Sequence, residues 1–71
     1  MSKIEQAIHE SITLNQTTTL HIEDRTDPLV DELICESEDH IWTKGNYGTD
    51  LLEAWGTDEG NDWRVHLQCA S

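Results

Sequence analysis

Fifteen acidic residues stand against four lysines and arginines in this chain of 71 residues, which gives a formal net charge of −11 at pH 7. Carboxylates repel one another when a chain becomes compact, and a chain this short buries only about 60% of the surface that it exposes when unfolded. Hydrophobic residues make up 35% of the sequence, with three tryptophans and no phenylalanine. The sequence therefore has material for one small core, and we predict a single acidic domain over residues 1–71.

The same charge restricts the partners that the chain can bind. DNA, RNA and anionic membranes repel a strongly acidic protein, so we predict a basic protein surface as partner, with no direct contact to nucleic acid or membrane. The first residues do not resemble a secretory signal peptide, and two cysteines are too few for a disulfide framework. The expectation is a cytoplasmic protein with reduced thiols.

Two segments have the start signals and apolar spacing of helices. In the first, Ser2 and Glu5 match a capping box. In the second, Asp27 is a capping residue followed by Pro28, and the helix is expected to run to about Glu38. Each helix has one apolar face, and the residues predicted on these faces are Ile4, Ala7, Ile8 and Ile12 in the first helix and Leu29, Val30, Leu33, Ile34 and Ser37 in the second.

The remaining residues alternate as strands do. Strands are predicted at residues 17–23, 40–44, 49–57 and 62–69, with turns at 45–48 and 58–61. In the last strand, Trp63, Val65, Leu67 and Cys69 alternate with polar residues, which predicts that they are buried. Residues 51–55 alternate poorly and also fit a short helix. The predicted fold is α+β in the order α-β-α-β-β-β, with an antiparallel sheet and two helices on one face.

The acidic residues are concentrated in two segments. Residues 23–39 contain eight acids and one arginine, and residues 50–62 contain five acids and no base. Along the second helix the acids occur about once per 3 Å, close to the ~3.4 Å spacing of phosphates on one DNA strand. Like-charge pairs at i,i+4 each cost a helix about 0.2–0.5 kcal/mol, whereas a merely soluble face mixes acids with lysines. The pattern therefore indicates imitation of a nucleic-acid backbone.

The candidate partner-binding residues are eleven of the thirteen carboxylates in these two segments, which would meet lysines and arginines in a basic groove. They are Asp24, Asp27, Asp31, Glu32, Glu36, Glu38, Asp39, Glu53, Asp58, Glu59 and Asp62.

Metal binding and catalysis have weaker support in the sequence. Cys35-x4-His40 and His66-x2-Cys69 are loosely zinc-like spacings, and a disulfide between Cys35 and Cys69 is a further alternative. No glycine-rich phosphate loop is present, and Ser11 lacks the strand-turn-helix context of an activated nucleophile. We predict no metal, no cofactor and no enzymatic activity.

With its acids at residues 23–39 and 50–62, its short length and its compact α+β pattern, the chain resembles the small phage-encoded anti-CRISPR proteins, several of which are DNA mimics. The resemblance is one of character over the whole chain and has no motif to match residue by residue. It implies an inhibitor that binds the basic DNA-binding surface of a CRISPR effector complex, such as a subunit of a Cascade-type complex, and blocks target DNA binding. The alternative is an acidic adaptor or regulatory protein, for example an antirestriction protein, that binds a basic partner without CRISPR involvement.

Overall fold

The computed structural model describes residues 2–24, 26–37, 42–46 and 49–69. Its elements are helix α1 (Lys3–Leu14), strand β1 (Thr18–Ile22), helix α2 (Pro28–Glu36), and strands β2 (Trp42–Asn46), β3 (Thr49–Asp58) and β4 (Asn61–Cys69). The prediction of a small α+β domain is confirmed. The alternative of a short helix at residues 51–55 is wrong, because this segment pairs with both neighbouring strands as part of β3.

The helices begin at the predicted capping residues. The Ser2 hydroxyl accepts a hydrogen bond from the Glu5 backbone N–H at 3.1 Å, and the Asp27 carboxylate accepts one from the Leu29 N–H at 3.0 Å. Both side chains satisfy amides that the first helical turn leaves without a partner. Helix α1 ends at Asn15, which adopts the left-handed conformation (φ 52°) common at helix C-termini. Helix α2 ends at Glu36, before the predicted end at Glu38, which lies outside the described residues.

The sheet has four strands in the order β1-β4-β3-β2. Strands β2, β3 and β4 are antiparallel neighbours, but β1 runs parallel to β4, with Thr18 opposite Val65 and Ile22 opposite Cys69. The prediction of an antiparallel sheet is therefore wrong for this pair. Side chains alternate in the same way in parallel and antiparallel strands, so the sequence of β1 reveals its buried face and not its direction. The long connection from β1 to β4 permits the parallel arrangement.

The turns differ in how well they were predicted. Glu59 and Gly60 form a two-residue turn between β3 and β4, and both have positive φ, as a type I′ hairpin requires. This bears out the predicted turn at 58–61. Strand β2 extends to Asn46, two residues into the predicted turn at 45–48, and residues 47 and 48 lie outside the described part of the chain.

One face of the sheet packs against both helices and forms the core. The buried hydrophobic residues are Ile4, Ala7 and Ile8 of α1, Ile22 of β1, Leu33 of α2, Leu52 and Ala54 of β3, and Trp63, Val65, Leu67 and Cys69 of β4. Ile12, Leu20, Leu29 and Val30 are half-buried against this core. The predicted burial of Ile34 is wrong, since its side chain is 49% exposed. Helix α2 is short and lies at the margin of the core, so only Leu33 is fully enclosed.

A polar residue inside the core fastens α1 to β4. Ser11 is buried, its hydroxyl donates to the Gln16 carbonyl at 2.7 Å, and it accepts a hydrogen bond from the Arg64 backbone N–H at 3.0 Å. A buried hydroxyl without partners would cost about 1–3 kcal/mol. This hydroxyl acts as hydrogen-bond donor and as acceptor within the fold, which gives Ser11 a structural role.

Gly56 lies in β3 directly opposite Trp63 of β4, and its backbone is close to the Trp63 indole. A Cβ atom at this position would stand 2.7 Å from Cζ2 and 2.9 Å from Cε2 of Trp63, whose side chain is buried. We expect Gly56→Ala to lower the free energy of unfolding by about 1–3 kcal/mol, the usual cost of overpacking. Urea unfolding measures this change. The same substitution in a Trp63→Phe background should cost less, because the smaller ring leaves room, and an equal cost in both backgrounds would contradict the assigned contact.

Candidate functional site

The acids of α2 do not form one uniform row. Asp27 caps the helix, and Glu32 is half-buried and accepts a hydrogen bond from the Ser2 hydroxyl, which links the start of α1 to the middle of α2. Asp31 and Glu36 are exposed. Of the four predicted binding residues from Asp27 to Glu36, Asp27 and Glu32 therefore take part in the fold, whereas Asp31 and Glu36 lie at the surface.

Asp24 precedes α2 in a tight turn. Its carboxylate accepts hydrogen bonds from the Thr26 hydroxyl and from the Thr26 backbone N–H, the latter at 2.8 Å. These two bonds lower the pKa of Asp24 below its ordinary value of 3.8. The ionised Asp24 carboxylate therefore stabilises the folded state at pH values above 3.8, and this contribution is lost as the pH falls and the carboxylate takes up a proton. The side chain is exposed and charged at neutral pH, as a binding role requires.

The acids of the β3–β4 hairpin are divided between the two faces of the sheet and the turn. Asp58 lies at the end of β3 on the same face as the core-facing residues Leu52 and Ala54, and Glu59 lies in the turn. Glu53 and Asp62 fall on the opposite face. Glu53 is half-buried there, with its Oε1 atom 2.5 Å from Nε2 of His66, and Asp62 accepts a hydrogen bond from the Thr57 hydroxyl at 3.3 Å.

The fold brings part of the two acidic segments together in one place. Glu36 at the end of α2 and Asp58 at the end of β3 line a surface depression of about 260 Å³, and Glu5 of α1 lies in the same wall. We call this feature the acidic depression. Its remaining lining residues are Ile8, His9, Thr57 and Trp63. All three carboxylates are on exposed residues, so a lysine or arginine from another protein can reach them.

Glu5 is the residue that sequence reasoning missed at this site. It was assigned to the capping box of α1, and no periodicity within α1 relates it to Glu36 or Asp58. Its contribution arises because α1 packs beside α2 on the same face of the sheet. Of the other candidates, Glu38 and Asp39 lie outside the described residues, and Asp24, Asp27, Asp31, Glu32, Glu53, Glu59 and Asp62 do not line the acidic depression.

Of the two cysteine and histidine pairs, only His66 and Cys69 lie among the described residues, since His40 of the Cys35-x4-His40 pair lies outside them. His66 and Cys69 are three residues apart on β4, so their side chains point to opposite faces; Cys69 is buried in the core. Cys35 is exposed on α2, and both cysteines are free, which excludes the disulfide alternative in this structure. No group of three potential metal ligands occurs among the described residues.

No protein-family model matches this chain, and no significant similarity to a curated protein or to a solved structure is found. Among the described residues, no helix is long and apolar enough to cross a membrane.

Proposed function

We propose that this chain is a non-enzymatic inhibitor that binds the basic, DNA-binding surface of a CRISPR effector complex. Its acidic residues would imitate the DNA backbone there, and the complex could then no longer bind its target DNA. The acidic depression is the observation that carries the proposal. Three elements that are distant in sequence each contribute one exposed carboxylate to it, from Glu5, Glu36 and Asp58. Carboxylates on a concave surface offer several acceptors to lysine and arginine side chains that otherwise hold phosphates.

Three further candidate acids are exposed outside the acidic depression. Asp31 on α2, Asp24 before it and Glu59 in the hairpin turn add negative charge without an ion pair to a described base. An exposed ion pair contributes only about 0–1 kcal/mol, so no single pair would account for tight binding. The proposal therefore requires many weak contacts, together with long-range steering of the encounter by the net charge of −11.

An acidic adaptor that binds a basic protein outside CRISPR immunity is the second candidate. It would use the same carboxylates, so the surface chemistry is common to both. The two candidates differ in whether the partner's surface is one that DNA also occupies.

The test is inhibition of target binding in a purified system. A Cascade-type complex is mixed with fluorescently labelled target duplex, and DNA binding is followed by anisotropy as the chain is added. We expect the fraction of bound DNA to fall with increasing chain concentration while the DNA stays intact. Added salt should reduce the inhibition because it screens the ion pairs. Unchanged DNA binding in a panel of such complexes would contradict the CRISPR assignment and favour the adaptor.

A further inference from the structure

The sheet has two outer strands, and their sequences differ in how they protect the edge. The order β1-β4-β3-β2 leaves β1 and β2 outermost, where alternate backbone N–H and C=O groups point away from the sheet. Natural edge strands are commonly protected from further pairing by lysine, proline, other charged residues or bulges. Strand β2 contains Lys44 beside Gly45, which fits such protection. Strand β1 has the sequence TTLHI and an unbroken register, so it has none of these features.

The outer edge of β1 is open within the described part of the chain. The described elements that contact β1 most are β4, its partner in the ladder, and α1, which lies on the core face of the sheet. Outside the ladder with β4, no described residue forms a backbone hydrogen bond with residues 18–22. The outward N–H and C=O groups are therefore left to water, and a new strand can pair with them without breaking a hydrogen bond of the fold.

The core is incompletely closed at the same edge. Ile22 of β1 is buried, whereas Leu20, two residues earlier on the same face, packs against the core but is only half-buried. Side chains directly opposite each other on neighbouring strands lie about 5 Å apart. An apolar residue on a strand added beside β1 would therefore remove more of the Leu20 side chain from water, in addition to the main-chain hydrogen bonds that the new strand forms.

The charges around β1 indicate which kind of chain can be added. The twelve residues from 11 to 22 contain no aspartate, glutamate, lysine or arginine, so the strand itself repels neither charge. Glu23 and Asp24, both exposed, follow directly after β1 and attract lysine or arginine. A second copy of this chain is opposed by the net charge of −11 that each copy would bring. The occupant that fits this edge is therefore an extended, basic segment of a different protein.

We propose that the outer edge of β1 is a docking site for an extended segment of a basic protein, which pairs with β1 as an additional strand of the sheet. Strand addition takes its affinity from main-chain hydrogen bonds and its specificity from side chains at alternate positions. The segment that fits has an apolar residue beside Leu20 and a lysine or arginine near Glu23. No residue of β1 lines the acidic depression, so this site is separate from the surface used in the proposed inhibition and does not rest on that proposal.

Amide hydrogen exchange followed by NMR tests the proposal, with a synthetic peptide of about eight residues that alternates valine and lysine. We expect the peptide to bind and to slow the exchange of those β1 amides that point outward and exchange fast in the chain alone. The matched control is the same peptide with every backbone nitrogen methylated, which keeps the charge and the side chains but cannot donate main-chain hydrogen bonds. It should bind about tenfold or more weakly and leave the exchange of the β1 amides unchanged.

A pair of variants tests the side-chain contact. Leu20→Ala should weaken binding of the unmethylated peptide about fivefold, because less apolar area is covered. Leu29→Ala removes a half-buried leucine from α2 and is the control that should leave the affinity nearly unchanged, with circular dichroism to verify that both variants are folded.

Absence of peptide binding would overturn the proposal. Equal binding of the two peptides, or binding without slower exchange in β1, would also overturn it, because the peptide would then be held only by its charge. These results leave the inhibition assay untouched, since that assay depends on carboxylates of other elements.

Discussion

Leu33→Ala is expected to lower the free energy of unfolding by about 2–5 kcal/mol. Leu33 is fully buried and is the residue of α2 that is enclosed by the core. Its truncation removes buried apolar area and leaves a cavity that the surrounding side chains fill only in part. Since a small domain has a total stability of roughly 5–15 kcal/mol, this one change should remove a large part of it. Urea unfolding followed by circular dichroism measures the loss.

Ile34→Ala is the matched control for this prediction. It removes a similar aliphatic side chain from the next position of the same helix, but Ile34 is 49% exposed. We expect a change of less than about 1 kcal/mol, as for most surface substitutions. Comparable losses for the two variants would mean that the face of α2 that contacts the core is assigned wrongly.

The second large effect is expected from reversing charge in the acidic depression. Glu36→Lys combined with Asp58→Lys removes two carboxylates and adds two ammonium groups at the place where α2 and the hairpin meet. We expect the affinity for a Cascade-type complex to fall by about ten- to a hundredfold, from lost attraction and new repulsion. Most of the loss should appear in the association rate, since steering acts on the encounter. Surface plasmon resonance measures both rates.

Glu10→Lys combined with Glu23→Lys is the control with the same change of net charge. Both residues are exposed and neither lines the acidic depression. This variant should lose much less affinity than the first. Equal losses would show that only total charge matters and would remove the argument for the depression. Glu32 stays unchanged in both variants because it accepts a hydrogen bond from Ser2, so its reversal would disturb the fold as well as the surface.

The local features of the fold were predictable because local chemistry determines them. Ser2 and Asp27 cap the helices as their side chains suggest, and the alternation around Trp63 and Val65 identifies the buried face of β4. The direction of β1 and the exposure of Ile34 were not predictable in this way. Both depend on how elements pack, and neither changes the periodicity of the sequence.

The same division applies to the candidate site. The sequence reveals which segments are acidic, because charge can be counted residue by residue. It does not reveal that Glu5 lies beside Glu36 and Asp58, since these residues belong to three separate elements. Nor does it separate carboxylates used within the fold, such as Asp27 and Glu32, from those that remain available to a partner.

Competition with DNA for the same surface tests the central proposal most directly. Labelled chain is added to a purified Cascade-type complex, either free of DNA or first loaded with its target duplex, and the bound label is measured. Mimicry of the nucleic-acid backbone predicts strong binding to the DNA-free complex and little or none to the loaded one. Equal binding to both forms would contradict the proposal, because the chain would then occupy a surface that DNA does not use.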